Sequence, residues 1–339
     1  MIRYPALLQP GDRIGVTSPS SGVPADLTPR FEFCVSYLRS RGYDVVVGSC
    51  MDGSGVVSAP AADRAAELTA MMTDPTIRAI IPPWGGELAI ELFPHLDFSA
   101  LATDSPPWLI GYSDLSTLLL PLTCLTGVAT LHGQNLMDTP LQVPSPLLPW
   151  LSVVTGAPLV QGPSTLHKPQ GFLDWVGDPE LTEYPLTLPG TWSLLDPSTG
   201  PLGARGRLIG GCIETVSILA GTPFGSLSSF AAAHAPEGLI VYLEAAEDNA
   251  LNIARSLWRL RLAGWFDHAN AILIGRTNAP ASGSFTQVDA VRSALGDLGL
   301  PIVLDVDCGH VAPHLALVNG ALTEVVVDGS LKEIRQTLA

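Results

Sequence analysis

The chain has 339 residues, 47% of them apolar and only 14% charged, and its formal net charge is −15. That length suits two domains with a sizeable core, and the composition argues against disorder. The acidic balance excludes a nucleic-acid backbone as partner, because phosphate binding needs a basic face, but it leaves room for a small nucleotide group held by stacking. Five cysteines (Cys34, Cys50, Cys124, Cys212, Cys308) show no C-x-x-C spacing. This predicts a reduced, cytoplasmic protein without a disulfide framework or structural zinc. The first residues hold no signal-peptide apolar region, and Pro, Gly or polar residues interrupt every apolar run well short of a membrane span.

In chain order, residues 12–19 read as a short strand entering a Ser/Pro/Gly loop. Apolar residues at helical spacing (Phe31, Phe33, Cys34, Tyr37, Leu38) predict a helix over 29–41, ended by Gly42. A strand over 43–47, a helix over 61–73 and a strand over 77–81 follow. This β-α-β-α-β alternation predicts a parallel sheet with helices on both faces. The third strand runs into Pro82-Pro83-Trp84-Gly85-Gly86-Glu87, with a helix-like segment from Leu88. Paired glycines at the carboxyl end of a strand let backbone approach a ligand, although a tight turn would need them too.

The next strand, 108–112, ends in Gly111-Tyr112-Ser113-Asp114 and passes at once into a leucine-rich helix. A strand, a sharp turn and a helix with serine at the apex is the layout of a nucleophile elbow, and the Asp114 N–H then opens toward the same space. Leu115 stands where the usual pattern has glycine, and a Ser-Asp pair at a helix start also serves as a plain N-cap. Residues 130–134, including His132, read as a last strand and loop. From 143 to about 206 prolines and glycines are frequent, and four aromatics (Phe172, Trp175, Tyr184, Trp192) point to a linker with an ordered loop. A second domain opens at Gly206, with strands over 238–244, 271–275, 301–305, 315–318 and 323–327, and helices over 213–220, 250–263 and 287–298. Domain boundaries of 1–150, 151–205 and 206–339 follow.

A serine nucleophile needs a base, and the base needs an acid. Glu244 ends an apolar strand; it is either a satisfied strand-end charge or the acid. His310 follows Gly309 in a loop after a strand, while His132 lies near the first sheet edge as a supporting residue. The order Ser113, Glu244, His310 is that of α/β-hydrolases, with the serine and its partners on different domains. His310 and His314 have the spacing of a helical metal pair, but Pro313 between them disfavours the helix, and no metal is expected.

These residues carry a resemblance. Leu8-Gln9-Pro10-Gly11-Asp12-Arg13-Ile14-Gly15 with Ser18-Pro19-Ser20-Ser21, then Gly85-Gly86, Gly111-Tyr112-Ser113-Asp114, Gly210-Gly211, Leu243-Glu244 and Gly309-His310 resemble the LD-carboxypeptidase family of serine peptidases. That family includes murein tetrapeptide carboxypeptidases and microcin C self-immunity peptidases. The resemblance spans nearly the whole chain. It implies a flavodoxin-like N-terminal domain, a smaller β-rich C-terminal domain, and a cytoplasmic homodimer without metal or cofactor. It further implies Ser113 as nucleophile, His310 as base and Glu244 as its orienter, with oxyanion donors from Asp114 and from Gly85 and Gly86. Three positions depart from the pattern: Trp84 stands where murein-cleaving members often have Arg, Cys212 where Asn is usual, and Val318 where Pro is usual. Trp84 argues against a plain murein assignment, and the run from Glu244 through Glu247 to Asp248, the chain length and the Trp-bearing loop before Gly206 look more like the immunity branch. Trp84, Trp192 and Glu247 are therefore expected to bind a small peptide or aminoacyl-nucleotide substrate, with Trp192 stacking on a base. Trp192 buried away from Ser113 would turn the reading toward murein peptides. A non-catalytic small-ligand-binding protein is the alternative of another class.

Overall fold

The computed structural model describes residues 1–339, the side chain of Thr199 apart. The first half alternates β1 (Arg13–Val16), α1 (Thr28–Ser40), β2 (Asp44–Val47), α2 (Ala61–Thr73), β3 (Ile77–Ile80), α3 (Phe98–Leu101), β4 (Trp108–Gly111), α4 (Ser116–Thr126), β5 (Thr130–His132) and α5 (Trp150–Val154). Five parallel strands in the order β5-β4-β3-β1-β2 result. Every residue of β4 is buried, as expected for a parallel strand covered on both faces. The helix expected from Leu88 is instead a tight 3-10 helix, Ala89–His95, with Pro94 inside it. Proline removes an N–H and clashes with the preceding turn, so a longer α-helix does not form there.

The second half runs β6 (Val160–Gln161), β7 (Leu166–His167), β8 (Leu188–Pro189), β9 (Ser193–Leu194), β10 (Leu202–Cys212), α6 (Ile213–Leu219), α7 (Leu227–His234), β11 (Leu239–Glu244), α8 (Ala250–Leu262), β12 (Ala269–Gly275), α9 (Gln287–Leu295), β13 (Ile302–Val306), β14 (Leu317–Asn319), β15 (Leu322–Asp328) and β16 (Leu331–Thr337). Its sheet has the order β6-β16-β15-β10-β11-β12-β13-β9, parallel from β10 to β13 and antiparallel toward both edges. The two helices against it start on side-chain caps, Asn249 for α8 and a Thr286/Asp289 capping box for α9. The irregular stretch before β10 is woven into this sheet: β6 and β9 form its two edges, and β7 and β8 pair as a separate ribbon.

One strand crosses over. β14 pairs antiparallel with β5, Leu317 opposite His132 and Val318 opposite Leu131, and so completes the first sheet at its edge. The loop between β13 and β14 carries His310. It is thus held by the second sheet at one end and by the first at the other, which brings His310 to the carboxyl ends of β4 and β5.

Candidate active site

β4 ends at Gly111, and the chain turns through Tyr112 into a 3-10 turn, Ser113–Leu115, that continues as α4. Ser113 has φ 65°, a left-handed conformation that a non-glycine residue adopts at some cost. The glycine that the turn needs stands two residues before the serine rather than two after: at Gly111 a Cβ would lie 2.7 Å from Asn135 Oδ1 and 3.1 Å from Leu115 Cγ. Leu115 itself is fully buried beneath the turn. The Asp114 carboxylate is engaged by Ser20 Oγ (2.6 Å), Ala89 N (2.8 Å) and Thr117 Oγ1 (3.1 Å). It therefore ties the turn to the loop after β1 and to the chain just past Gly85-Gly86. At Gly85 an added Cβ would lie 2.9 Å from Ser113 Oγ and 3.0 Å from the Asp114 N. The Gly85 backbone thus packs against the serine and the backbone N–H beside it, and Gly86, at φ 137°, packs as closely on Ser20 and Ser21.

The second half supplies two more groups. Gly210, Gly211 and Cys212 end β10, and the Cys212 N–H donates to Ser116 Oγ at 3.1 Å, joining the two sheets at the first turn of α4. Glu244 ends β11 in register with Cys212 and is 1% exposed. Glycines make room for it: a Cβ at Gly275 would lie 2.6 Å from Glu244 Cβ, and a Cβ at Gly309, at φ 95°, would collide with its carboxylate. His310 Nδ1 is 2.9 Å from Glu244 Oε2, and His310 Nε2 is 3.0 Å from Ser113 Oγ. Serine, imidazole and carboxylate thus form one continuous hydrogen-bonded chain across the two sheets.

The other Glu244 oxygen faces His132. Nε2 of that buried histidine is 3.8 Å from Oε1, beyond hydrogen-bond length but close enough for charge attraction. Neither atom has a hydrogen-bond partner among the described residues. Burial alone would raise the Glu244 pKa, but the positive charge of His310 and contacts with His132 and His310 hold it well below the usual carboxylate range. Burial likewise pushes the His310 pKa down, yet Glu244 outweighs it and, with Glu214 and Glu247, keeps that pKa above the usual imidazole value. Tyr112 lies tilted against the His310 ring, centroids 5.0 Å apart, and beside it the buried Asp138 has its pKa pushed up by burial to about 6. His314 is buried as well, and burial, then the His310 charge, push its pKa down to about 3.

The expected substrate contacts fare differently. Trp84 is half-buried beside Gly85, its Nε1 donating to Gly22 O at 3.0 Å. Glu247 is exposed on the rim, and its N–H, with those of Ala246 and Asp248, donates to Glu214 Oε1. The stacking role for Trp192 is corrected. The ring is 2% exposed, packed in the core with Leu147, Leu202 and Val303, and its Nε1 donates to Asp307 Oδ2 at 2.8 Å. Asp307 in turn holds Arg276 at 2.6 Å. A tryptophan next to an edge strand is a natural core plug. Trp175, on the same stretch, is half-buried with the Arg30 guanidinium 5.3 Å above its ring. Arg30, fully buried, also donates to Pro179 O, Leu181 O and Met137 O and so anchors that loop. Nothing in the sequence marked Glu214, Ser20 or Ser116 for their bridging parts, because each depends on partners distant along the chain.

Residues 14–133 match the family model described as the LD-carboxypeptidase N-terminal domain, and residues 205–325 match that of the LD-carboxypeptidase C-terminal domain. A putative carboxypeptidase of Vibrio cholerae is 30% identical over 336 residues, covering 92% of this chain and 91% of that one. The microcin C7 self-immunity protein of Escherichia coli is 26% identical, covering 98% and 96% of the two chains. The murein tetrapeptide carboxypeptidase of Pseudomonas aeruginosa is 26% identical, covering 74% and 72%. The solved structure of the microcin C7 self-immunity protein in complex with glutamyl sulfamoyl guanosine superposes with a TM-score of 0.80 at 22% identity, covering 99% of this chain and 98% of that one, a likeness of fold.

Proposed function

The chain belongs to the LD-carboxypeptidase family of serine peptidases, and within it we propose that Ser113, His310 and Glu244 hydrolyse an amide bond in a small peptide or aminoacyl-nucleotide conjugate. It is an enzyme, a serine-type carboxypeptidase or amide hydrolase. His310 Nε2 takes the Ser113 proton as Oγ attacks the carbonyl carbon; Glu244 fixes the ring tautomer and stabilises the imidazolium. The N–H groups of Asp114 and of the Gly85-Gly86 loop face the oxyanion. His310 then protonates the leaving nitrogen, and a water molecule, deprotonated by the same ring, releases the acyl group from Ser113. The observation that carries this reading is the unbroken Ser113–His310–Glu244 hydrogen-bond chain, at 3.0 and 2.9 Å.

For the substrate, charge is the guide. Burial raises the Glu87 pKa, and Glu247, Asp114 and Glu214 raise it further, so carboxylates face one another across the site. Such a lining repels a free carboxylate beside the scissile bond and tolerates a neutral or cationic group. This favours an aminoacyl group joined to a sulfamoyl nucleoside, the linkage named in the microcin-immunity structures, but with an uncharged or basic side chain in place of their glutamyl and aspartyl groups, and with Trp84 as the available aromatic face. The burial of Trp192 favours the second reading, a murein tetrapeptide, because it removes the expected stacking surface. Mass spectrometry of products from an aminoacyl sulfamoyl adenylate and from a murein tetrapeptide separates the two. Cleavage of the adenylate alone upholds the first, cleavage of the tetrapeptide alone the second, and cleavage of neither by wild-type protein overturns both. Five free cysteines and the absence, among the described residues, of a helix long and apolar enough to cross a membrane support a cytoplasmic setting. A homodimer is part of the same reading; a monomer mass by light scattering contradicts it.

A further inference from the structure

The chemistry above leaves Cys212 without a task. This thiol is buried at the end of β10, directly beside Glu244 in the sheet register, and donates its S–H to Glu214 Oε2 at 3.0 Å. Its Sγ, a carboxylate oxygen of Glu244 and a ring nitrogen of His310 all lie within 4.8 Å of one another. Tetrahedral zinc, with bonds of about 2.3 Å to sulfur and about 2.0 Å to nitrogen and oxygen, holds its donors roughly 3.3–3.5 Å apart. His310 Nδ1 and Glu244 Oε2 stand 2.9 Å apart. They need to part by only about 0.4 Å on that geometry, and the thiol needs to move inward by about 1.3 Å at most. A second observation is independent of these distances. The groups around the three donors are anionic: Glu214 and Glu247 act on His310, and Glu87 lies in the field of Glu247, Asp114 and Glu214. A concave site lined by one sign of charge gathers counter-ions of the other.

We propose that Cys212, Glu244 and His310 form an inhibitory site for a thiophilic divalent cation, zinc above all, which captures the acid and base of the hydrolytic machinery and switches it off reversibly. The effect on activity rests on the triad reading; the binding does not. Zinc replaces the Cys212 thiol proton, which leaves to solvent past Glu214. It takes the lone pair of His310 Nδ1, and the proton of that nitrogen moves to Nε2, so a single proton is released overall. With Nε2 protonated, His310 no longer accepts the proton of Ser113. Thiolate and imidazole select zinc or cadmium over magnesium and calcium, which prefer all-oxygen shells.

The test uses the full chain stripped with a chelator. Activity is measured against added zinc, cadmium and magnesium, and cobalt(II) is used as an optical probe of thiolate ligation. Zinc and cadmium should inhibit and magnesium should not; chelator should restore the rate; one cobalt should bind with a sulfur-to-metal absorption band. Cys212→Ser should keep the chelated rate, lose the band and need more than about tenfold higher zinc for inhibition; Cys212→Asn is the second variant if the serine protein folds poorly. Inhibition of either folded variant at the wild-type zinc concentration, or a band that survives the substitution, overturns the proposal. Absence of any hydrolysis by chelated wild-type protein counts against the triad reading instead, and the cobalt spectrum still decides the metal site.

Discussion

Gly85→Ala concentrates the argument in one methyl group. The new Cβ would lie 2.7 Å from Ser113 Cβ, 2.9 Å from Ser113 Oγ and 3.0 Å from the Asp114 N, all tighter than ordinary carbon contacts. Gly85 is not among the residues with positive φ, so alanine adds no backbone strain there. Either the methyl blocks the space in front of the Asp114 N–H or it pushes the serine off its line to His310. Loss of one oxyanion donor costs about 2.7–4 kcal/mol, a fall in kcat of about 10²–10³-fold. Overpacking costs about 1–3 kcal/mol of stability, which lowers the melting temperature by a few degrees without unfolding the chain. The assay is steady-state kinetics on one amide substrate beside a thermal melt, with Gly203→Ala as control, since nothing lies within 4 Å of a Cβ there. A Gly85→Ala enzyme with kcat within about threefold of wild type, and a normal melt, would refute the oxyanion assignment.

Three further outcomes follow from the same geometry. The base must be neutral, and His310 is held above the usual imidazole value, so kcat/KM measured with chelator should rise with pH through a midpoint above about 6.5. Glu244, Glu214, Glu247, Asp138 and His314 all act on this ring, and removing one negative charge by Glu247→Gln should move the midpoint down; an unchanged or raised midpoint speaks against the rim charge. Trp192→Ala should destabilise by about 3–5 kcal/mol in a denaturant titration and leave the ratio of adenylate to peptide cleavage unchanged; a changed ratio in folded protein would restore the ring to the substrate site. His132→Phe should lower kcat by up to about 10²-fold with KM unmoved, by letting the Glu244 carboxylate turn, and His132→Gln should recover part of it; equal loss in both variants would assign the effect to packing alone.

Much of the fold was legible because its signals are local. The apolar run 108–112 before Ser113 reads as a buried strand, and the 3.6-residue spacing after Pro29 reads as α1. Pairings between distant segments were not legible. β14 was visible as a strand, but nothing in Leu317-Val318-Asn319 says that its partner is β5, and that crossover is what suspends His310 over Ser113. The ribbon and edge strands between 160 and 194 are two residues each, too short for any period to register. Ser113, Glu244 and His310, which the structure brings into contact, were legible as candidates because each ends or follows an apolar strand at the edge where open α/β sheets bind ligands. Trp192 was misread because aromatic character does not tell a stacking face from a core filler; the buried partner Asp307, 115 residues away, decides it. The usual elbow pattern puts the small residue after the serine, whereas the close approach to Asn135 places the demand on Gly111.

The proposed reaction rests on Ser113 as the nucleophile, activated by His310 and Glu244. It is tested most directly by reacting the chelated protein with a fluorophosphonate and mapping the adduct by peptide mass spectrometry. One adduct per chain is expected, on Ser113, with loss of hydrolysis in proportion to labelling. His310→Ala should slow labelling by orders of magnitude while keeping the melt of the wild type. An adduct on another residue, or amide hydrolysis that persists in Ser113→Ala, would contradict the proposed reaction.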